Sequence, residues 1–184
     1  MKIIKYVIAI IILLSSGSVA HAVMNKTGVF GVWSIWTGLS KENTPMCLAT
    51  IENATSEFDI KYTVNGGLFI QLHKTGWNIP TNTNISMTMQ IDHAPSLKLR
   101  TNAGNDADTL EFVWNMTEIN PNTSKLYWEE FLEGITHGSQ IKMAFPDGNE
   151  TMWVGSLNGS TAAMNSFNLC VLHISSATQP FTKN

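Results

Sequence analysis

The sequence predicts a mainly β fold, a single-domain antiparallel β-sandwich or barrel of about ten short strands with one or two short helices. Three observations lead there. Apolar and polar residues alternate with period two along several segments, as in Phe58-Asp59-Ile60-Lys61-Tyr62-Thr63-Val64. Turn-forming clusters such as Asn65-Gly66-Gly67 and Pro146-Asp147-Gly148-Asn149 separate those segments. Only 14% of the 184 residues are charged and 43% are hydrophobic, so uncharged Asn and Thr must cover the solvated strand faces and turns.

Residues 1–22 read as a secretory signal peptide. Lys2 and Lys5 form a positive start, Tyr6 to Leu14 an apolar run, and Ala20-His21-Ala22 a small-residue cleavage site. The run is about half the ~20 residues needed to span a bilayer, and no later segment is long and apolar enough to do so. The expected mature chain, residues 23–184, is one β-rich domain in the periplasm or secreted. Its net charge is −5, because Lys2 and Lys5 leave with the signal and nine basic residues remain against fourteen acidic. No basic face for nucleic acid is expected.

The elements follow in order. Val29 to Thr37 and Met46 to Ile51 are strand candidates. Phe58 to Val64 and Leu68 to Leu72 form a hairpin around Asn65-Gly66-Gly67. Ser86 to Asp92 alternates through Met87, Met89 and Ile91, and Leu97 and Leu99 continue the pattern beyond Pro95. Thr101 to Asp108 is a polar loop, and Leu110 to Met116 the next strand. Ser124 to Thr136 places Trp128, Phe131, Leu132 and Ile135 on one helical face, with Glu129, Glu130 and Glu133 opposite. Ile141, Met143 and Phe145 lead into the turn at Pro146 to Asn149, and Thr151 to Leu157 returns. Ser160 to Asn168 reads as a short helix with Ser160 as its N-cap. Leu169 to Ser175 reads as a final strand.

Cys47 and Cys170 are the two cysteines. In an oxidising compartment they are expected to pair as a structural disulfide. A redox-active thiol pair would favour C-x-x-C spacing, which is absent.

Motifs with chemistry are scarce. There is no phosphate-cradling Gly-x-x-x-x-Gly-Lys, no Gly-x-Ser-x-Gly and no His-Glu-x-x-His. Gly155-Ser156-Leu157-Asn158-Gly159 reads as a turn into the following helix. His73, His93, His137 and His173 are isolated in sequence. Asp92 and His93 would point to opposite faces of a strand. Met87 and Met89 at strand spacing pack a core more readily than they bind copper. Asn102 to Asp108 lacks the frame of a calcium loop. Seven Asn-x-Ser/Thr triplets follow from an Asn- and Thr-rich composition. No catalytic residue, metal or cofactor is therefore expected.

The candidate ligand contacts are tryptophans. Trp77 lies in Gly76-Trp77-Asn78-Ile79-Pro80, a loop from which an indole can stack on a sugar or anchor a partner. The competing reading is a loop clamped over the core. Trp33 and Trp36 are out of strand phase, so they face opposite ways, and Trp36 joins Trp77 as a candidate.

Two segments resemble a known family. Phe30-Gly31-Val32-Trp33, followed by Cys47 and a run of hairpins, resembles the opening of the invasion-associated locus B family. Trp153 to Phe167 is similar to its closing motif. There a strand leads through Leu157-Asn158-Gly159 to a short helix bearing Ala163 and, four residues on, Phe167. The resemblance implies a small periplasmic or secreted bacterial β-rich protein, linked in some pathogens to host-cell invasion, with no catalytic residues. Family members often carry further cysteines that this chain lacks, and the helix over 124–136 has no place in the family pattern.

The expected function is thus a non-enzymatic extracytoplasmic protein that binds another macromolecule. A carbohydrate-binding module using exposed tryptophans and an inhibitor or immunity protein against a periplasmic enzyme are the alternatives. Protein and glycan partners both remain open, as does the oligomeric state.

Overall fold

A computed structural model describes residues 23–104, 106–113 and 121–177, the side chains of 121–128 excepted. The expected signal peptide falls outside the described residues. Ten strands and two helices are present among them: β1 (Val23–Phe30), β2 (Trp33–Leu39), β3 (Pro45–Glu52), β4 (Ser56–Thr63), β5 (Gly67–Lys74), β6 (Asn84–Ile91), β7 (Leu97–Asn102), β8 (Thr109–Val113), α1 (Pro121–His137), β9 (Gln140–Ala144), β10 (Trp153–Ser156) and α2 (Ser160–Ala177).

The strands form two antiparallel sheets, β1-β2-β3-β4-β5-β8 and β10-β9-β6-β7. The fold is mainly β and sandwich-like rather than a closed barrel. Alternation sets the core. In register across the larger sheet, Ile35, Ala49, Ile60, Ile70 and Phe112 pair in sequence and are buried to 1% exposure or less. Met87, Met89, Ile141 and Met143 supply the facing layer from the smaller sheet, so the two methionines of β6 are core residues. Phe131 and Ile135 of α1, with Ala163, Met164 and Phe167 of α2, complete the same cluster. Glu129, Glu130 and Glu133 are exposed.

Two sequence expectations need correction. Val29 to Thr37 is not one strand, because Gly31 sits at φ +60° and reverses the chain between β1 and β2. That hairpin adds a strand over Val23–Phe30 which the sequence reading missed. Leu169 to Ser175 is not a strand but the continuation of α2. Its apolar, β-branched composition suggested strand, yet Met164, Phe167 and Ile174 fall on one helical stripe packed into the core. The strand expected over Leu110 to Met116 is described as β8 as far as Val113; residues 114–116 lie outside the described residues, as does Trp114.

Cys47 of β3 and Cys170 of α2 form a disulfide with Cα atoms 6.1 Å apart, and their separation in sequence is 123 residues. The turn after Phe30 and the turn before α2 also meet. Val32 N donates to Asn158 O at 3.1 Å. A Cβ on Gly31 would lie 2.3 Å from Asn158 O, and one on Gly159 2.2 Å from Phe30 O. Only two glycines allow these turns to approach backbone to backbone.

Candidate functional site

Three connections converge at one end of the sandwich. The β5–β6 loop (75–83) is braced against residues 103, 104 and 106–108 between β7 and β8. Lys74 N donates to Asp108 O, Ile79 N to Ala107 O, Asn82 N to Ala103 O, and Ala103 N to Thr83 O, at 2.8 to 3.0 Å. Gly76 at φ +91° and Asn82 at φ +63° supply the left-handed turns the loop needs. The β9–β10 connection turns at Pro146 to Gly148, where Gly148 N donates to Phe145 O at 3.2 Å.

Between the β5–β6 loop and the β9–β10 connection lies a cleft of about 610 Å3. Its deep end is apolar, formed by Ile85, Leu110 and Phe145. Trp77, Ile79 and Pro80 line one side, and Asn78, Asp147 and Asn149 contribute polar groups. The volume falls in the range of roughly 300–1,000 Å3 common to small-ligand sites.

One carboxylate organises the aromatic wall. Glu150 Oε2 accepts from Trp77 Nε1 at 2.8 Å, and Oε1 accepts from Trp153 Nε1 at 3.0 Å and from Lys74 Nζ at 2.5 Å. The indoles of Trp77 and Trp153 stack at 24° with centroids 5.4 Å apart, and Phe145 meets both edge-on. Desolvation pushes the Glu150 carboxyl up. The donors from Lys74, Trp77 and Trp153, with the Lys74 charge, outweigh it and hold the pKa at about 2. The carboxylate is therefore ionised throughout the physiological range and locks both rings.

Trp77, singled out from sequence, is half-buried: it is clamped over Phe145 and Trp153 and still borders the cleft. Trp36 is not brought to it. Trp36 lies on the opposite face of the larger sheet from Trp33 and Ile35, with Lys26 Nζ 4.6 Å from its ring centroid. Trp33 is fully buried, edge-on to Phe58. Phe145, Glu150, Trp153 and Lys74 were not picked out by sequence reasoning as site residues. Lys74 and Trp77 are 76 and 73 residues from Glu150, and no local spacing announces such a triad.

His73 Nε2 lies 3.2 Å from Asp108 Oδ2 at the base of the braced loops. Asp92 sits at φ +48° and clamps the start of β9. It accepts from Ser139 Oγ at 2.7 Å and from the amides of Ser139 and Gln140, bonds that hold its carboxyl below the ordinary range. The Asp92-His93 pair thus belongs to a turn. Among the described residues no three His, Cys, Asp or Glu side chains converge as metal ligands, and no helix is long and apolar enough to cross a membrane. No protein-family model, curated protein or solved structure matches this chain.

Proposed function

We propose that this chain is a non-enzymatic extracytoplasmic protein that binds another macromolecule, and that the macromolecule is a glycan held at the Trp77 cleft. One observation carries the reading: an aromatic wall fixed by Glu150 borders a ligand-sized cleft whose rim offers amides and carboxylates. A sugar ring has an apolar C–H face suited to an indole and equatorial hydroxyls suited to Asn78, Asp147 and Asn149. The braced loops reduce the ordering cost of binding. The bridge between Cys47 and Cys170 supports export, since such bonds persist in oxidising compartments. Cleavage after Ala22, a periplasmic or secreted location and affinity with the invasion-associated locus B family belong to the same proposal.

The test is a glycan array together with a polysaccharide pulldown from cell envelopes. The wild type should retain a defined glycan subset, and Asn149→Ala and Trp77→Ala should weaken retention by about tenfold, a loss of ~1.4 kcal/mol. Asn149 is the informative arm because it is exposed, so its truncation spares the fold. Absence of retention by the wild type removes the glycan reading. N-terminal sequencing of the exported protein should begin at Val23, and a retained leader would remove the export reading.

A further inference from the structure

Trp153 also borders a second opening, of about 250 Å3, beside β10. β10 is an edge strand, and β9 is its one pairing partner among the described strands. Its inward positions are Trp153 and Gly155, which pair with the buried Met143 and Ile141. At Gly155 there is no side chain to fill the layer, and the space left open reaches Ile51 and Phe58 of the larger sheet.

Edge strands are ordinarily blunted by Lys, Pro, bulges or a covering segment, because their free backbone groups recruit other strands. The other described edges show such devices. β1 carries Lys26 and an irregularity between Lys26 and Gly28. β7 carries Lys98 and Arg100, and Thr101 Oγ1 donates to Glu111 O at 2.5 Å, tying β7 to β8. The stretch Met152 to Ser156 has no charge and no proline, and it exposes Met152 at 55% and Val154 at 53%.

The polar side of the opening is formed by Asn53, Ser56 and one acid. Glu57 is that acid, and Glu52 stands opposite Glu57 in the β3–β4 register, an unfavourable like-charge pair. Asp59, two residues on, is 2% exposed, and its Oδ1 has no hydrogen-bond partner among the described residues. Of the nearby bases, Lys61 is engaged by Asp59 Oδ2 at 3.0 Å and by Gln71, Lys74 is held by Glu150, and Lys142 stands opposite Val154 on β9. Burial, then the charge of Asp59, push the Glu57 carboxyl up, and the charge of Lys61 opposes them.

We propose that an extended basic and apolar segment of a partner polypeptide adds to β10 as a fifth strand of the smaller sheet. Its main chain satisfies the free edge of β10. An apolar side chain enters the space beside Gly155, and a Lys or Arg meets Glu57. This is strand addition with alternate-residue pockets, and Glu57 selects the sign of the partner.

The test uses the blocked peptide Lys-Val-Lys-Val-Lys-Val-Lys, followed by calorimetry and by amide NMR with hydrogen exchange. Saturable binding should shift the outward amides within Trp153 to Ser156 and slow their exchange. Replacing every Lys of the peptide by Glu, or N-methylating alternate peptide amides, should each weaken binding by about tenfold or more. Val154→Lys, at an exposed position, should abolish binding without unfolding the protein, and Glu57→Gln should weaken it. The proposal is overturned by no response at β10, by equal binding of the N-methylated peptide, or by equal binding of the Glu peptide. It is also overturned if sedimentation shows a dimer that Val154→Lys dissociates, since a second copy would then occupy the edge.

Discussion

At Glu150 two indole N–H groups and one ammonium meet a single carboxylate, and the consequence is a pH dependence with a definite sign. Its folded pKa of about 2 lies below the ordinary 4.5. Above pH 4.5 the group is ionised in both folded and unfolded chains, so its stabilising contribution is fully present. It is lost as pH falls from 4.5 through about 2. Glu57 acts in the opposite sense. Its folded pKa is raised, so its contribution is present at low pH and is lost as pH rises through the folded value. Glu150→Gln should cost about 1–3 kcal/mol in urea unfolding at pH 7. The gap between wild type and variant should close as pH is lowered toward 2. Trp77 was legible because an isolated loop indole is unusual, whereas Glu150 was hidden because two of its three partners, Lys74 and Trp77, are non-local.

The turns show the same division at the next scale. The hairpin at Asn65-Gly66-Gly67 and the turn at Pro146 to Asn149 were read from dipeptide chemistry alone, and both fall between paired strands. The break at Gly31 was not, because a lone Gly between apolar residues fits a continuous strand as well as a reversal. The contact that decides it comes from Gly159, far along the chain. Gly159→Ala should therefore destabilise by at least about 1–3 kcal/mol, since it adds left-handed strain and a clash with the Phe30 carbonyl. Gly76→Ala has comparable backbone strain at φ +91° but open space around the new methyl, so it should cost only about 1–2 kcal/mol. Chemical denaturation of the two variants separates strain from close approach. α2 teaches a related lesson. The run Leu169 to Ser175 looks like a strand by residue type, but only a helix buries Phe167 and Ile174 while leaving Leu169 and Leu172 outside.

Across the whole molecule, the bridge from Cys47 to Cys170 pins the last helix onto the third strand, on the face of the larger sheet that bears the core. It closes a loop of 123 residues. In the chain-entropy account that loop is worth about 4–5 kcal/mol, because the cross-link restricts the unfolded chain. The double variant Cys47→Ala, Cys170→Ala should lower the unfolding free energy from urea titration by that amount and raise the denaturant slope above wild type, since its unfolded state expands further. Unchanged stability would assign α2 docking to Ala163, Met164 and Phe167 alone. The same scale sets the two open regions. One carries fixed aromatics between braced loops, the other a bare strand edge beside Glu57.

The sequence by itself determined the mainly β architecture, most strand positions, the helix after residue 120 and the partners of the disulfide. Each of these depends on local periodicity, on turn chemistry or on there being only two cysteines. Tertiary structure decided where the chain reverses at Gly31, that α2 runs past Cys170, and which side chains share the cleft. Those outcomes depend mainly on contacts between residues far apart in the chain, and the energies of such contacts leave no trace in a short window of sequence.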